Sequence, residues 1–220
     1  MHIHKSMSKA AYCLLLIILF AADISRVPET HAATVLNAPF SAQAPFGIWE
    51  QPWQDFCEEA SVAMAAHFIW KLPLEADIAA TEMLLIQQYE GLVLGKDKDT
   101  SIDETAQVLR VLYGFGAKIQ TRLIRDIADI KRELAAGHLV IIPAAGRLLK
   151  NPYFQRPGPV YHMLAITGFD DERGVFITND PGTRRGKGFV YPQQRLWRAI
   201  HDWNNGDVLH GEKKMIVVTG

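Results

Sequence analysis

Apolar residues recur at helical spacing through Cys57–Trp70, an alanine-rich run that ends ahead of Pro73, and this predicts a buried helix. A second helix is expected over residues 75–89, stopped near Gly91. Ser101 and Glu104 form a capping-box pattern, in which each side chain satisfies a free N–H near the other, and it opens a third helix running to about Tyr113. Gly114 and Gly116 end that helix, and a fourth is expected over residues 124–136, closed by Gly137. Beyond it the period changes. Residues 139–142 read as a short apolar strand, 162–169 and 175–178 as two more joined by a hairpin-like turn, and 215–218 as a last one. A helix over 193–203 fits between them. Helices first and strands later indicate an α+β fold, with a mixed or antiparallel sheet in the C-terminal half.

Two stretches lack any period. Residues 33–56 hold three prolines among several large aromatics and read as an extended segment leading into the first helix. Residues 144–160 are rich in Pro, Gly and aromatics, and loops this long in compact domains are usually functional.

The N-terminus has a different character. Lys5 and Lys9 precede an apolar run over residues 10–22, which has the length of a signal-peptide core. It falls short of the roughly 20 apolar residues of a membrane span. Thr30 and Ala32 place small residues where a signal peptidase reads, so residues 1–32 are expected to be a cleaved signal or, alternatively, an uncleaved membrane anchor. Residues 33–220 then form the single functional domain of an exported protein, periplasmic or extracellular, touching a membrane only through an uncleaved N-terminus.

With 49% hydrophobic residues the chain can bury a sizeable core. The formal charge of -1 and the lack of a basic stripe with interleaved aromatics speak against nucleic-acid binding. Removal of residues 1–32 would take away Cys13 and leave Cys57 as the one thiol. An exported chain with one cysteine forms no internal disulfide, so the thiol is a core side chain, an unpaired liability or a working group.

Cys57 stands at the start of its helix, where free N–H groups and the helix dipole stabilise a thiolate. A nearby imidazole can take the thiol proton, and a third group must hold the imidazole in the right tautomer. His162, at the start of a strand directly after the long loop, is the most suggestive base. Asn179 and Asp180 end another strand and are both candidate orienters; they point to opposite faces, so one of them reaches His162. Acyl transfer also needs donors for the oxyanion, and Gln51 and Gln54 both lie close ahead of Cys57.

These residues resemble the C39-like cysteine peptidases, papain-fold relatives of bacteriocin-processing peptidase domains. The resemblance rests on Gln51 six positions before Cys57, on Cys-Glu-Glu-Ala-Ser opening a helix, on Tyr161-His162 before an apolar strand, and on Asn179-Asp180-Pro181. It spans residues 38–188. It implies a papain-like fold and a peptidase acting on a peptide or related amide. It assigns Cys57 as nucleophile, His162 as base, Asp180 as orienter and Gln51 as oxyanion donor, with a peptide or protein as substrate and no cofactor. Glu58 and Glu59 stand where the family commonly has Gly-Pro or Gly-Leu, and negative charge there opposes thiol ionisation. That keeps an alternative in view: an inactive relative that binds peptides or an envelope component in the same cleft.

Other features point to ordinary structural roles. His67, His138, His201 and His210 show no metal-ligand spacing, so no metal is expected. Thr183-Arg184-Arg185-Gly186-Lys187 reads as a solvated basic turn without a phosphate-loop pattern. Trp49, Trp53 and Trp70 read as packing side chains. Oligomeric state is left open.

Overall fold

A computed structural model describes residues 33–96 and 98–220. The expected signal or anchor over residues 1–32 lies outside the described residues, and no described helix is long and apolar enough to cross a membrane.

The first long helix, α1 (Cys57–Trp70), forms where the alanine run predicts it. It ends as Lys71 turns left-handed at φ 59, just ahead of Pro73. Nearly all its residues are buried, the signature of a helix covered all round. Helix α2 (Ala76–Tyr89) follows and is extended by a wider turn, Glu90–Leu94, until Gly95 ends it. Helix α3 (Ile102–Gln107) opens on Ser101 with both capping-box bonds present, and a similar wide turn, Val108–Leu112, carries it on to Tyr113.

The fourth helix is shorter than expected. Asp126 and Asp129 form a second capping box, so α4 spans Ile127–Ala135, and the residues before it make an edge strand, β2 (Ile119–Leu123). The remaining strands are β1 (Thr34–Val35), β3 (Leu139–Ala145), β4 (Tyr161–Asp170), β5 (Val175–Asn179), β6 (Phe189–Pro192) and β7 (Lys214–Val218). The long loop opens on a short helix, α5 (Gly146–Leu149), and α6 (Gln193–Ala199) stops before residue 203.

Among the described residues these strands form one antiparallel sheet in the order β2-β7-β3-β4-β5-β6, with β1 on the far end of β4. Alternation across the pleat builds a core on each side. Ile141, Met163 and Ala165 face α1 and α3, and Val140, Ile142 and Leu164 face Ile130 and Leu134 of α4 and Leu196 of α6. That double cover explains why β3, buried along its whole length, reads as a continuous apolar run. The architecture is α+β and papain-like, with the first helices packed on a largely C-terminal sheet. One detail positions the site. Strand β5 pairs with β4 only from Ala165 onward, so the beginning of β4 has no partner strand on that side.

Candidate active site

Cys57 is the first residue of α1, and Phe56 ahead of it supplies no side-chain cap. The unpaired N–H groups and the positive dipole end of the first turn therefore lie at the cysteine. The thiol is 6% exposed and borders a cavity of about 400 Å³. His162, at the uncovered beginning of β4, lines the same cavity, and the backbone N–H of its neighbour Met163 hydrogen-bonds the sulfur. Packing α1 against β4 thus brings Cys57 and His162 to one cavity.

Asp180 lies at the end of β5 and is fully buried. His162 Nε2 donates to its Oδ1 at 2.8 Å, and the Gly182 N–H donates to the same oxygen at 3.0 Å. Its Oδ2 accepts from the Tyr191 hydroxyl at 2.5 Å and from Asn151 Nδ2 at 3.0 Å. Burial opposes ionisation, but the His162 charge and these donors outweigh it and hold the carboxyl below its ordinary value. With Nε2 engaged, Nδ1 is the ring nitrogen left for chemistry. Phe154 packs edge-on against the ring, 5.1 Å between centroids. A Cβ at Gly182 would come within 2.7 Å of the Phe154 ring and 2.9 Å of the His162 ring, so a larger residue there would displace one of them.

The choice between Asn179 and Asp180 follows from strand alternation. Asn179 points the other way and donates from Nδ2 to the carbonyls of Ala38 and Pro39, at 3.2 and 2.9 Å, tying the extended N-terminal segment to the sheet.

The glutamines are arranged differently from the sequence expectation. Gln51 is exposed, bonds Asp55 at 2.8 Å and does not line the cavity. The chain between it and Cys57 winds through a turn and a short 3₁₀ helix, Trp53–Asp55, so a spacing of six residues carries Gln51 to the surface. Gln43 and Gln54 line the cavity instead. Gln43 is buried, and its Nε2 donates to the carbonyls of Trp53 and Gln54 at 3.0 and 2.7 Å. Its own N–H donates to the Pro181 carbonyl at 2.9 Å, linking the chain before Cys57 to the turn after Asp180. Lying in a proline-broken segment, Gln43 carries no local signal that would single it out. Asn151 and Tyr191 were missed for the same reason, since only the fold brings them to Asp180.

The other side of the thiol is acidic. Cys57 Sγ donates to Glu58 Oε2 at 2.9 Å, and Glu58 Oε1 accepts from the Thr100 N–H at 3.2 Å. Burial, with the charges of Glu58 and Glu59, pushes the thiol pKa up, against the Met163 N–H. Burial also lifts Glu58 to about 7, helped by Asp99, and lifts Glu90 to about 8. Glu59, buried beside Glu90 and Glu58, is raised as well. One oxygen each of Glu59 and Glu90 has no hydrogen-bond partner.

A larger cavity, about 770 Å³, lies at the other end of α1 around His67, Lys71 and Leu72, and none of the candidate residues borders it. His67, His138, His201 and His210 each bond a neighbouring carboxylate or carbonyl. No group of three potential ligands suited to a metal ion occurs among the described residues.

Against this geometry stand the comparisons with known proteins. No curated protein matches the chain. A solved structure described as a C39-like peptidase from Bacillus anthracis is similar with a TM-score of 0.58, covering 86% of this chain and 98% of that one. At 13% identity the likeness is one of fold. A family model, the Peptidase_C39 like family, matches residues 35–205 and so contains Cys57, His162 and Asp180. By that match the chain belongs to the Peptidase_C39 like family.

Proposed function

We propose that this protein hydrolyses a peptide or related amide bond through Cys57, His162 and Asp180. The observation that carries the reading is a histidine held at Nε2 by a fully buried, four-fold bonded carboxylate, in the cavity that the thiol borders. His162 Nδ1 takes the Cys57 proton, and the sulfur adds to the carbonyl carbon. His162 then returns that proton to the leaving amine as the C–N bond breaks, and water, deprotonated by the same ring, releases the acyl group. Asp180 keeps the proton on Nε2 and supports the imidazolium as it forms.

Two donors are needed for the oxyanion. The Cys57 N–H, at the first turn of α1, is one. Gln54 supplies the other, because it lines the cavity and its side chain has no hydrogen-bond partner among the described residues, whereas both side-chain N–H groups of Gln43 are engaged. Gln43 acts as a positioning residue by fixing the backbone of Gln54. Loss of an oxyanion donor costs roughly 10²-fold in kcat, so Gln54→Ala is expected to fall by that order. The exposed Gln51→Ala should stay within about twofold.

The test is digestion of a defined peptide pool, with products read by mass spectrometry, beside iodoacetamide labelling of Cys57 against pH. Cleavage lost in Cys57→Ala, together with labelling well below pH ~7 that His162→Ala abolishes, supports the reading. A second reading, a peptide-binding relative without turnover, draws on the bond between the thiol and Glu58. Slow labelling at every pH and intact peptides would favour it. The same proposal places the working protein outside the cytoplasm, to be checked by sequencing the N-terminus of the exported form.

A further inference from the structure

The basic turn that reads as merely solvated has a fixed place beside the site. The cavity of Cys57 and His162 continues into a second one of about 570 Å³, with which it shares Trp49, Phe154, Gln155 and Gly182. The extension adds Tyr153, Thr183, Arg184 and Arg185, and no acidic residue lines it. Arg156 borders the first cavity on the same long loop. None of these three arginines forms an ion pair among the described residues.

The turn is fastened to the catalytic strand. The Asp180 N–H donates to the Gly186 carbonyl at 3.0 Å, and the Gly186 N–H to the Thr183 carbonyl at 3.2 Å. The Arg185 N–H donates to Thr183 Oγ1 at 3.2 Å. A Cβ at Gly186 would sit 1.7 Å from the Asp180 carbonyl oxygen, so the turn lies directly against the residue that orients His162. The guanidinium groups are also supported. Arg185 stacks over the Tyr153 ring at 4.8 Å, and Arg184 lies against Gly47. The opposite end of the cleft differs: a third cavity there mixes Lys96 and Lys98 with Asp55 and Asp99. Lining without a carboxylate thus lies on the side of the cleft that holds Arg184 and Arg185, and the adjoining cavity of Arg147, Lys150 and Arg156 shares that character.

Resting on the peptidase reading above, we propose that this arm is a substrate subsite for a carboxylate, in which Arg184 and Arg185 select peptides with an acidic residue or a free C-terminus on one side of the scissile bond. Guanidinium groups match a carboxylate with paired hydrogen bonds, and the Trp49 and Phe154 walls take the apolar stem beside it. Because the arginines are exposed, the preference should weaken with salt.

The experiment measures binding of labelled peptides to the Cys57→Ala protein by fluorescence anisotropy, with matched Glu and Gln peptides, each with a free and an amidated C-terminus. At least tenfold tighter binding of a carboxylate-bearing peptide is expected, and the Glu and terminus arms show which carboxylate is read. In Arg184→Gln/Arg185→Gln the preference should disappear while the neutral peptide binds as before, and in the intact nucleophile background the loss should fall on KM with kcat held. Equal binding of all four peptides, or a preference that survives the double substitution, overturns the proposal. The two readings fail separately. Carboxylate-dependent binding without cleavage by the intact protein sinks the peptidase and leaves the subsite, whereas cleavage without preference does the reverse.

Discussion

Two buried carboxylates flank the chemistry, Asp180 behind His162 and Glu58 against the Cys57 thiol, and burial acts on them alike while their donors differ. Asp180 receives four hydrogen bonds, one from a group that becomes cationic, and is held below its ordinary value. Glu58 receives two backbone N–H groups, its own and that of Thr100, and a thiol proton, faces Asp99 and lies near Glu59 and Glu90, and is lifted to about 7. The lesson is that donor count and neighbouring charge, rather than depth, decide which buried acid stays ionised. Asp180 is thereby favoured as an anion, while Glu58 changes charge near neutrality in contact with the Cys57 thiol. Ionised, Glu58 opposes a thiolate; protonated, its O–H can donate to one.

The largest effect should come from taking away the charge of Asp180. Asp180→Asn keeps size but no longer enforces the proton on Nε2, and a fall in kcat of about 10³- to 10⁴-fold is expected against a cleavable peptide. A loss under tenfold would mean that His162 needs no anionic partner. Next comes Glu58→Gln, which removes the negative charge and places an N–H beside the sulfur. The pH profile of Cys57 alkylation should move down by about one unit, roughly a tenfold gain in labelling rate at a fixed acidic pH. An unchanged profile would separate Glu58 from the thiol.

The smallest effect concerns stability. Glu58 and Glu90 have folded-state pKa values above the ordinary 4.5, so their contribution is complete below that value and is lost as pH rises through about 7 and about 8. Asp180 has the opposite sign: its contribution is present above the ordinary 3.8 and is lost as pH falls through its depressed value. Glu90→Gln should therefore raise the thermal midpoint at pH 9 by about 2–4 °C, equivalent to about 1 kcal/mol, and leave it unchanged at pH 5. A gain of equal size at both pH values would point to packing instead of charge.

Much of the fold was legible along the chain. Helix α1 begins and ends where the alanine run and Pro73 place it, and the Ser101–Glu104 box opens α3 because capping is local chemistry. Strand β2 was not legible, since Ile119 alone among its residues is buried and an edge strand then shows no alternation. Strand β6, short and half-exposed, was missed on similar grounds. In the site, Cys57, His162 and Asp180 carry signals of residue type at element ends. Gln51 was favoured by spacing, yet spacing measures contour length, and the turn between residues 51 and 57 sends that side chain outward.

By itself, then, the sequence determined which reactive groups stand at element ends: a thiol at a helix start, an imidazole at a strand start and an acid at a strand end, each legible because local backbone geometry sets it. Tertiary structure alone decided which partners meet these groups. It ended β5 opposite Ala165 so that no strand pairs beside His162 on that side, gathered Tyr191, Asn151 and Gly182 around Asp180, and set Glu58 against the sulfur. The reason is physical. Hydrogen bonds and charge–charge interactions act over a few ångströms, and only packing α1 onto the sheet brings residues more than a hundred positions apart within that range.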